Sequence, residues 1–262
     1  MKNSPQPARL PITAPVKAVS SSSAPHAVPL LSVPSSGILH TLRNLRPQFF
    51  EGLTPSELEL VIAAAKQVRA MGNSVITNQD HPAEHLYLLL TGRARYFFVT
   101  ETGKKIILLW IPPGQTFGGA ALVASPNAYL LSVETVRNSS MLVWDRAKIK
   151  SLVSQCPRLL ENHVSETYIY LVAYRAAHVS MIFETAPERL AHVLTSLASG
   201  IGQKVAEGVE LNIRNEELAN EANVNLFTTS RLLSKWQRSG MVRKGRGKIL
   251  LRSPELLLRH AT

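Results

Sequence analysis

The 262-residue chain holds a single cysteine, Cys156, so it can form no internal disulfide, and one thiolate alone builds neither a zinc site nor an iron–sulfur cluster. A reducing cytoplasm is the expected location. No stretch of about 18 apolar residues occurs, which excludes a membrane-spanning helix, and no membrane partner is expected. There is also no glycine-rich phosphate loop ending in lysine, no nucleophile elbow and no pair of histidines on one helix face. An enzyme is therefore not expected, and no cofactor or metal is called for.

Acidic residues are scarce at both ends. Residues 1–50 carry five Lys/Arg and no Asp/Glu, residues 51–210 carry fourteen of each sign, and residues 211–262 carry ten basic against four acidic. Concentrating positive charge in a short C-terminal segment points to a polyanionic partner, most often nucleic acid. Hydrophobic residues make up 45% of the chain, enough to bury a sizeable core.

Residues 1–37 contain seven prolines and the run Ser20 to Ser23, without a sustained apolar period. Such a composition cannot offset its ordering entropy, so a disordered tail is expected. An organelle transit peptide would need a long Arg-rich amphipathic helix, which is not visible. Thr54-Pro55-Ser56-Glu57 then forms a capping box with proline at the first helical position, followed by Leu58, Val61, Ile62 and Ala65 at helical spacing. From Val68 to Asp145 short apolar runs are cut by glycines, which predicts a jelly-roll-like β domain over 38–156.

No glycine interrupts Pro157 to Phe183, and Leu160, Val164, Leu171, His178 and Ile182 fall near a heptad seam. A helix of that length exceeds the needs of one small domain, so 157–184 is expected to pair with its twin in a homodimer. Thr185-Ala186-Pro187-Glu188 is a second capping box and marks a hinge.

The C-terminal part, 185–262, has helix-turn-helix grammar. A strand at 209–213 precedes a short helix from Asn215, Asn223 can take the left-handed turn conformation, and Asn225 can cap a second helix running from Leu226 to Ser239. On that second helix Leu232, Leu233 and Trp236 form a core stripe, while Thr228, Thr229, Arg231 and Lys235 face a major groove with Leu226 and Phe227 near its start. Arg231 is expected to bond guanine O6 and N7, the competing reading being a surface salt bridge to Glu217 or Glu221. Arg243, Lys244, Arg246 and Lys248 surround a glycine turn, the form of a basic wing that touches phosphates. Double-stranded DNA is the expected partner.

With those residues in place, the sequence resembles the cyclic-AMP receptor protein and Fnr superfamily of bacterial transcription regulators over about residues 48–256. The likeness is carried by Phe49 to Leu58, Asp80 to Gly92, Pro113 to Gly118, Glu188-Arg189-Leu190 and the winged helix-turn-helix. It implies an α+β chain: a cyclic-nucleotide-binding-type β-roll, a long dimerisation helix and a C-terminal winged helix, acting on a palindromic operator. RNA polymerase would be a further partner if the protein activates.

The resemblance also places an effector pocket at Gly118, Gly119, Tyr129, Leu130, Tyr174 and Arg175, and there the chain departs from the pattern. Cyclic-nucleotide binders have Gly-Glu where Gly118-Gly119 stands, and an arginine for the phosphate where Tyr129 stands. A buried phosphate without a cation is costly, so cyclic AMP is not expected as effector. An unknown small-molecule effector, a haem or gas sensor, and an effector-free regulator all remain open, as does an effector-binding module acting mainly through protein contacts.

Overall fold

The structure is a computed structural model that describes residues 35–123, 128–245 and 247–261. The expected N-terminal tail, apart from its last three residues, lies outside the described residues. So does Arg246.

Helix α1 (Ser35–Leu45) begins three residues inside the segment assigned to the tail and buries Ile38 and Leu42. Phe49 and Phe50 follow in a short 3-10 turn and pack on Trp144, with Phe49 ring to indole centroids at 5.9 Å. The capping box at α2 (Pro55–Ala63) forms as its sequence dictates: Thr54 Oγ1 accepts from the Glu57 amide at 3.3 Å and Glu57 accepts from the Thr54 amide at 2.8 Å.

An antiparallel sheet then runs through β1 (Lys66–Ala70), β2 (Val75–Thr77), β3 (His85–Val99), β4 (Lys105–Ile111), β5 (Thr116–Phe117) and β6 (Ser132–Asp145). Its order is β1-β6-β3-β4, with β2 also on β6 and β5 on β3. The long strands β3 and β6 form its spine, pairing Leu88 with Leu142 and Leu86 with Trp144. Register shifts around Thr91 and Arg93 bend that ladder. Gly92 sits at the bend with φ 96°, and a Cβ there would lie 2.6 Å from Ser139 Cα, so only glycine fits. Trp144 is fully buried and donates its indole N–H to the Val61 carbonyl at 2.8 Å, tying α2 to the roll.

Helix α3 (Arg146–Gln155) leads into α4 (Arg158–Phe183), whose 26 residues span about 39 Å at 1.5 Å per residue. One face of α4 packs on the roll through Leu159, His163, Glu166 and Tyr170. The opposite face is bare, with Val164, Leu171 and Ile182 each more than half exposed.

The chain turns at Glu184, and the second capping box starts α5 (Ala186–Ile201), with Glu188 accepting from the Thr185 amide at 2.7 Å. The remaining elements are β7 (Gln203–Val205), β8 (Gly208–Leu211), α6 (Asn215–Glu221), α7 (Leu226–Arg238), β9 (Val242–Gly245), β10 (Lys248–Leu251) and α8 (Pro254–Ala261). The expected strand at 209–213 stops at Leu211, and Ile213 instead turns into the core. That core joins Leu190, Leu194, Leu218, Leu233, Trp236 and Leu257.

Candidate functional site

The turn between α6 and α7 takes its shape from two asparagines. Asn223 adopts a left-handed φ of 48°, and the Asn225 side chain accepts from the Thr228 amide at 2.8 Å, capping α7. Arg189 clamps the same turn from α5: its Nε donates to the Ala222 carbonyl at 3.0 Å and its Nη1 to the Glu184 carbonyl at 2.6 Å. One guanidinium thus joins the end of α4, the start of α5 and the reading turn.

Helix α7 buries Thr229, Leu232, Leu233 and Trp236 and exposes Leu226, Phe227, Arg231, Lys235 and Arg238. Thr229 corrects the expectation of a DNA contact. It lies three and four residues before Leu232 and Leu233, on the packed stripe, and its hydroxyl is fully buried with no partner among the described residues. Thr228 stays half-exposed at the first turn. The alternative partners for Arg231 point elsewhere, because Glu217 and Glu221 contact the β-roll. Among the described residues none of Arg231, Lys235 and Arg238 forms an ion pair.

On the wing the cations are partly engaged. Arg243 pairs with Glu207 and Lys248 with Glu210, each at 2.7 Å, and Lys244 Nζ donates to Ser234 at 3.2 Å. The two ion pairs are at least partly solvent-exposed and therefore weak enough to be exchanged for phosphates.

The effector residues are brought together only in part. Gly118 has φ 83°, and a Cβ at Gly119 would overlap the His163 ring, so the place of the missing glutamate is filled from α4. Tyr129 is buried, and its hydroxyl accepts from the His85 amide and donates to the His85 carbonyl, both at 3.0 Å. Burial pushes the phenol up from its ordinary pKa, so it stays neutral and offers a phosphate no charge. Leu130, Tyr174 and Arg175 do not line this place. Leu130 is 82% exposed, while Tyr174 and Arg175 lie on the outer part of α4, where Tyr174 stacks on His178 at 6.5 Å.

Sequence reading missed the polar cluster that occupies the cleft instead. The Thr116 hydroxyl donates to Glu166, leaving its lone pair for His163 Nδ1 at 3.0 Å, while Tyr170 donates to Gln115 at 2.5 Å and meets Tyr96 edge-on. The signal was present as the spacing 159, 163, 166 and 170, one helix face. What could not be read was that the face meets the β5 turn.

A second unforeseen contact joins the roll to the helix-turn-helix. Arg95 on β3 bonds Glu134 at 2.7 Å and Glu217 on α6 at 3.4 Å, and the Trp110 indole donates to Glu221. The Arg93 and Arg95 guanidiniums lie 5.3 and 5.6 Å from the Trp110 ring centroid. Burial raises the Glu221 carboxyl to about 7 against the lowering pull of Trp110, Arg95 and Arg93.

Comparison with known proteins agrees with this architecture. The cyclic nucleotide-binding domain model matches residues 67–156 and the Crp-like helix-turn-helix domain model matches residues 188–260. A cyclic AMP receptor protein of Thermus thermophilus is 27% identical over 214 residues, 79% of this chain and 94% of that one. A cAMP-activated global transcriptional regulator of Mycobacterium tuberculosis is 21% identical, over 82% of this chain and 97% of its own. The solved structure of the regulator CLP of Xanthomonas campestris, described as c-di-GMP responsive, superposes with TM-score 0.68 at 16% identity, covering 76% of this chain and all of that one. FixK2 of Bradyrhizobium japonicum gives 0.65 at 22%, covering 74% and 96%. No helix among the described residues is long and apolar enough to cross a membrane. The chain is a transcription regulator of the Crp/Fnr superfamily, with a cyclic nucleotide-binding-type domain joined to a Crp-like helix-turn-helix domain.

Proposed function

We infer that the protein binds a two-fold symmetric operator as a homodimer, with α7 of each protomer in a major groove and the effector of the fold's cyclic-nucleotide site absent or changed. The observation that carries the reading is the outer face of α7: Arg231, Lys235 and Arg238 are exposed and, among the described residues, without ion pairs, beside a basic hairpin. Two such helices in a dimer meet successive grooves about 34 Å apart. The bare apolar seam of α4, through Leu160, Val164, Leu171, His178 and Ile182, supplies the surface for pairing.

Arg231 reads a guanine edge, Leu226 and Phe227 touch thymine methyls, and Asn225, Thr228, Lys235 and the wing residues Arg243, Lys244, Arg246 and Lys248 position the backbone. RNA polymerase is the further partner where the bound dimer activates. Operator selection from random duplexes, repeated with Arg231→Ala and Lys244→Ala, tests this assignment. Arg231→Ala costs about 1–3 kcal/mol and relaxes one position in each half-site, whereas Lys244→Ala weakens all sequences alike and lowers the salt slope by about 1. Unchanged base preference in Arg231→Ala would make that residue a phosphate contact.

The Thermus relative is named for cyclic AMP, but this chain puts His163 and Tyr129 where ribose and phosphate would need a carboxylate and a cation, respectively. That chemistry supports a pocket that does not take cyclic AMP.

A further inference from the structure

Arg93 lies on β3 directly opposite Arg137 on β6, at the bulge that bends the sheet. Like charges in cross-strand register repel, and Arg93 is only 4% exposed. Among the described residues its guanidinium donates one hydrogen bond, to the Asn212 carbonyl of the DNA-binding domain at 2.9 Å, and reaches no carboxylate. Arg137 donates to the Gly92 carbonyl at 3.2 Å and likewise meets no carboxylate. Of the five N–H donors of the buried Arg93 most are therefore unmatched among the described residues, while the exposed Arg137 can turn its own donors to water or to a ligand.

Both arginines line a cleft of about 260 Å³ between the two domains. Arg214 faces them from the helix-turn-helix side, and Asn73 and Asn212 add amides at the wall. Glu217 also lines the cleft, but its oxygens are held by Arg95 at 3.4 Å, by Arg214 at 3.6 Å and by the Arg214 amide at 2.9 Å. Three arginines thus line a space whose single acidic lining residue, Glu217, is shared between Arg95 and Arg214. A buried cation with no carboxylate in direct contact is costly, and forked guanidinium donors match an oxyanion bidentately. Burial and then Arg137 lower the Arg93 pKa, and the more distant carboxylates of Glu217 and Glu221 offset this only in part.

We propose that this cleft binds a small oxyanion-bearing ligand, through a phosphate or carboxylate group, that bridges the β-roll and the DNA-binding domain between Arg93, Arg137 and Arg214. The site lies apart from the cleft filled by His163 and Tyr129. Because it takes residues from both domains, its ligand favours the docked arrangement in proportion to ligand concentration over its dissociation constant.

Calorimetric titration of the full chain without DNA tests the site independently of operator reading. Sodium pyrophosphate and sodium citrate are the probes, at fixed ionic strength, and the tighter one identifies the anion class. Saturable binding of at least one, at one site per protomer, is expected. Arg137→Gln on the roll and Arg214→Gln on the DNA-binding domain each weaken it about tenfold or more, and Lys150→Gln on α3 leaves it unchanged. Arg93→Gln abolishes it, with thermal melting by circular dichroism confirming a folded chain; if that variant does not fold, the two exposed-arginine variants decide. The proposal is overturned if neither anion binds saturably, if binding survives undiminished in either Arg137→Gln or Arg214→Gln, or if Lys150→Gln weakens it equally.

Discussion

Replacing Glu221 by glutamine removes a titration that the domain contact has made unusual. The Glu221 carboxyl is half-buried beside Trp110, with Arg93, Arg95 and Glu217 around it, and burial raises it from 4.5 to about 7. Between those values the folded chain holds a proton that the unfolded chain has lost. Stability is therefore fully present below pH 4.5 and falls as pH rises toward 7. At 1.36 kcal/mol per pH decade the loss is about 3 kcal/mol, and solvent at the half-buried group reduces it to about 2–3 kcal/mol. Urea unfolding followed by tryptophan emission, with Trp110 at the contact, should show wild type less stable at pH 7.5 than at pH 5 by more than Glu221→Gln is. The amide keeps an acceptor for the Trp110 indole and carries no charge, and other titrating groups cancel in the difference between variants. Parallel pH profiles for the two proteins would refute the reasoning, because Glu221 would then titrate alike in folded and unfolded chains.

Two shorter tests address assembly and the occupied cleft. Leu171→Asp combined with His178→Asp should give monomers in sedimentation, since both positions lie on the uncovered face of α4; dimers that persist unchanged would put the interface elsewhere. Calorimetric titration with cyclic AMP should show no binding at micromolar concentrations, because Gly119 supplies no ribose acceptor and Tyr129 no phosphate cation; micromolar binding with a gain in operator affinity would overturn that reading.

The parts of the fold that were legible from residues are those set by local rules. Thr54, Thr185 and Asn225 cap the helices their spacing predicts, and the left-handed Asn223 makes the turn it was assigned. Thr229 shows where residue type misled, since a hydroxyl near a helix start was taken as a donor although its register with Leu233 and Trp236 put it on the core face. Leu130, Tyr174 and Arg175 were placed by family position, which tells neither that the loop before β6 turns Leu130 to solvent nor which way α4 presents Tyr174 and Arg175. The contacts of Arg95 with Glu217 and of Trp110 with Glu221 span more than a hundred residues, and no period or motif encodes such pairings.

The two neighbouring arginines on β3 separate what holds the domains together from what leaves them open to control. Arg95 is buried, but Glu134 on its own sheet and Glu217 on α6 both contact it, so its desolvation is offset within the protein. Removing Glu217 would leave Arg95 paired with Glu134 alone and cut its tie to α6, which makes the pair a specific address for α6 on the roll. Among the described residues Arg93, two residues away on the strand, directly contacts only a backbone carbonyl and a ring face. The same docking that satisfies Arg95 leaves Arg93 short of a partner, and a ligand that corrects the shortage gains affinity only while the domains stay docked. Coupling between ligand and domain position follows from that asymmetry alone, without any contribution from the cleft that His163 and Tyr129 have filled.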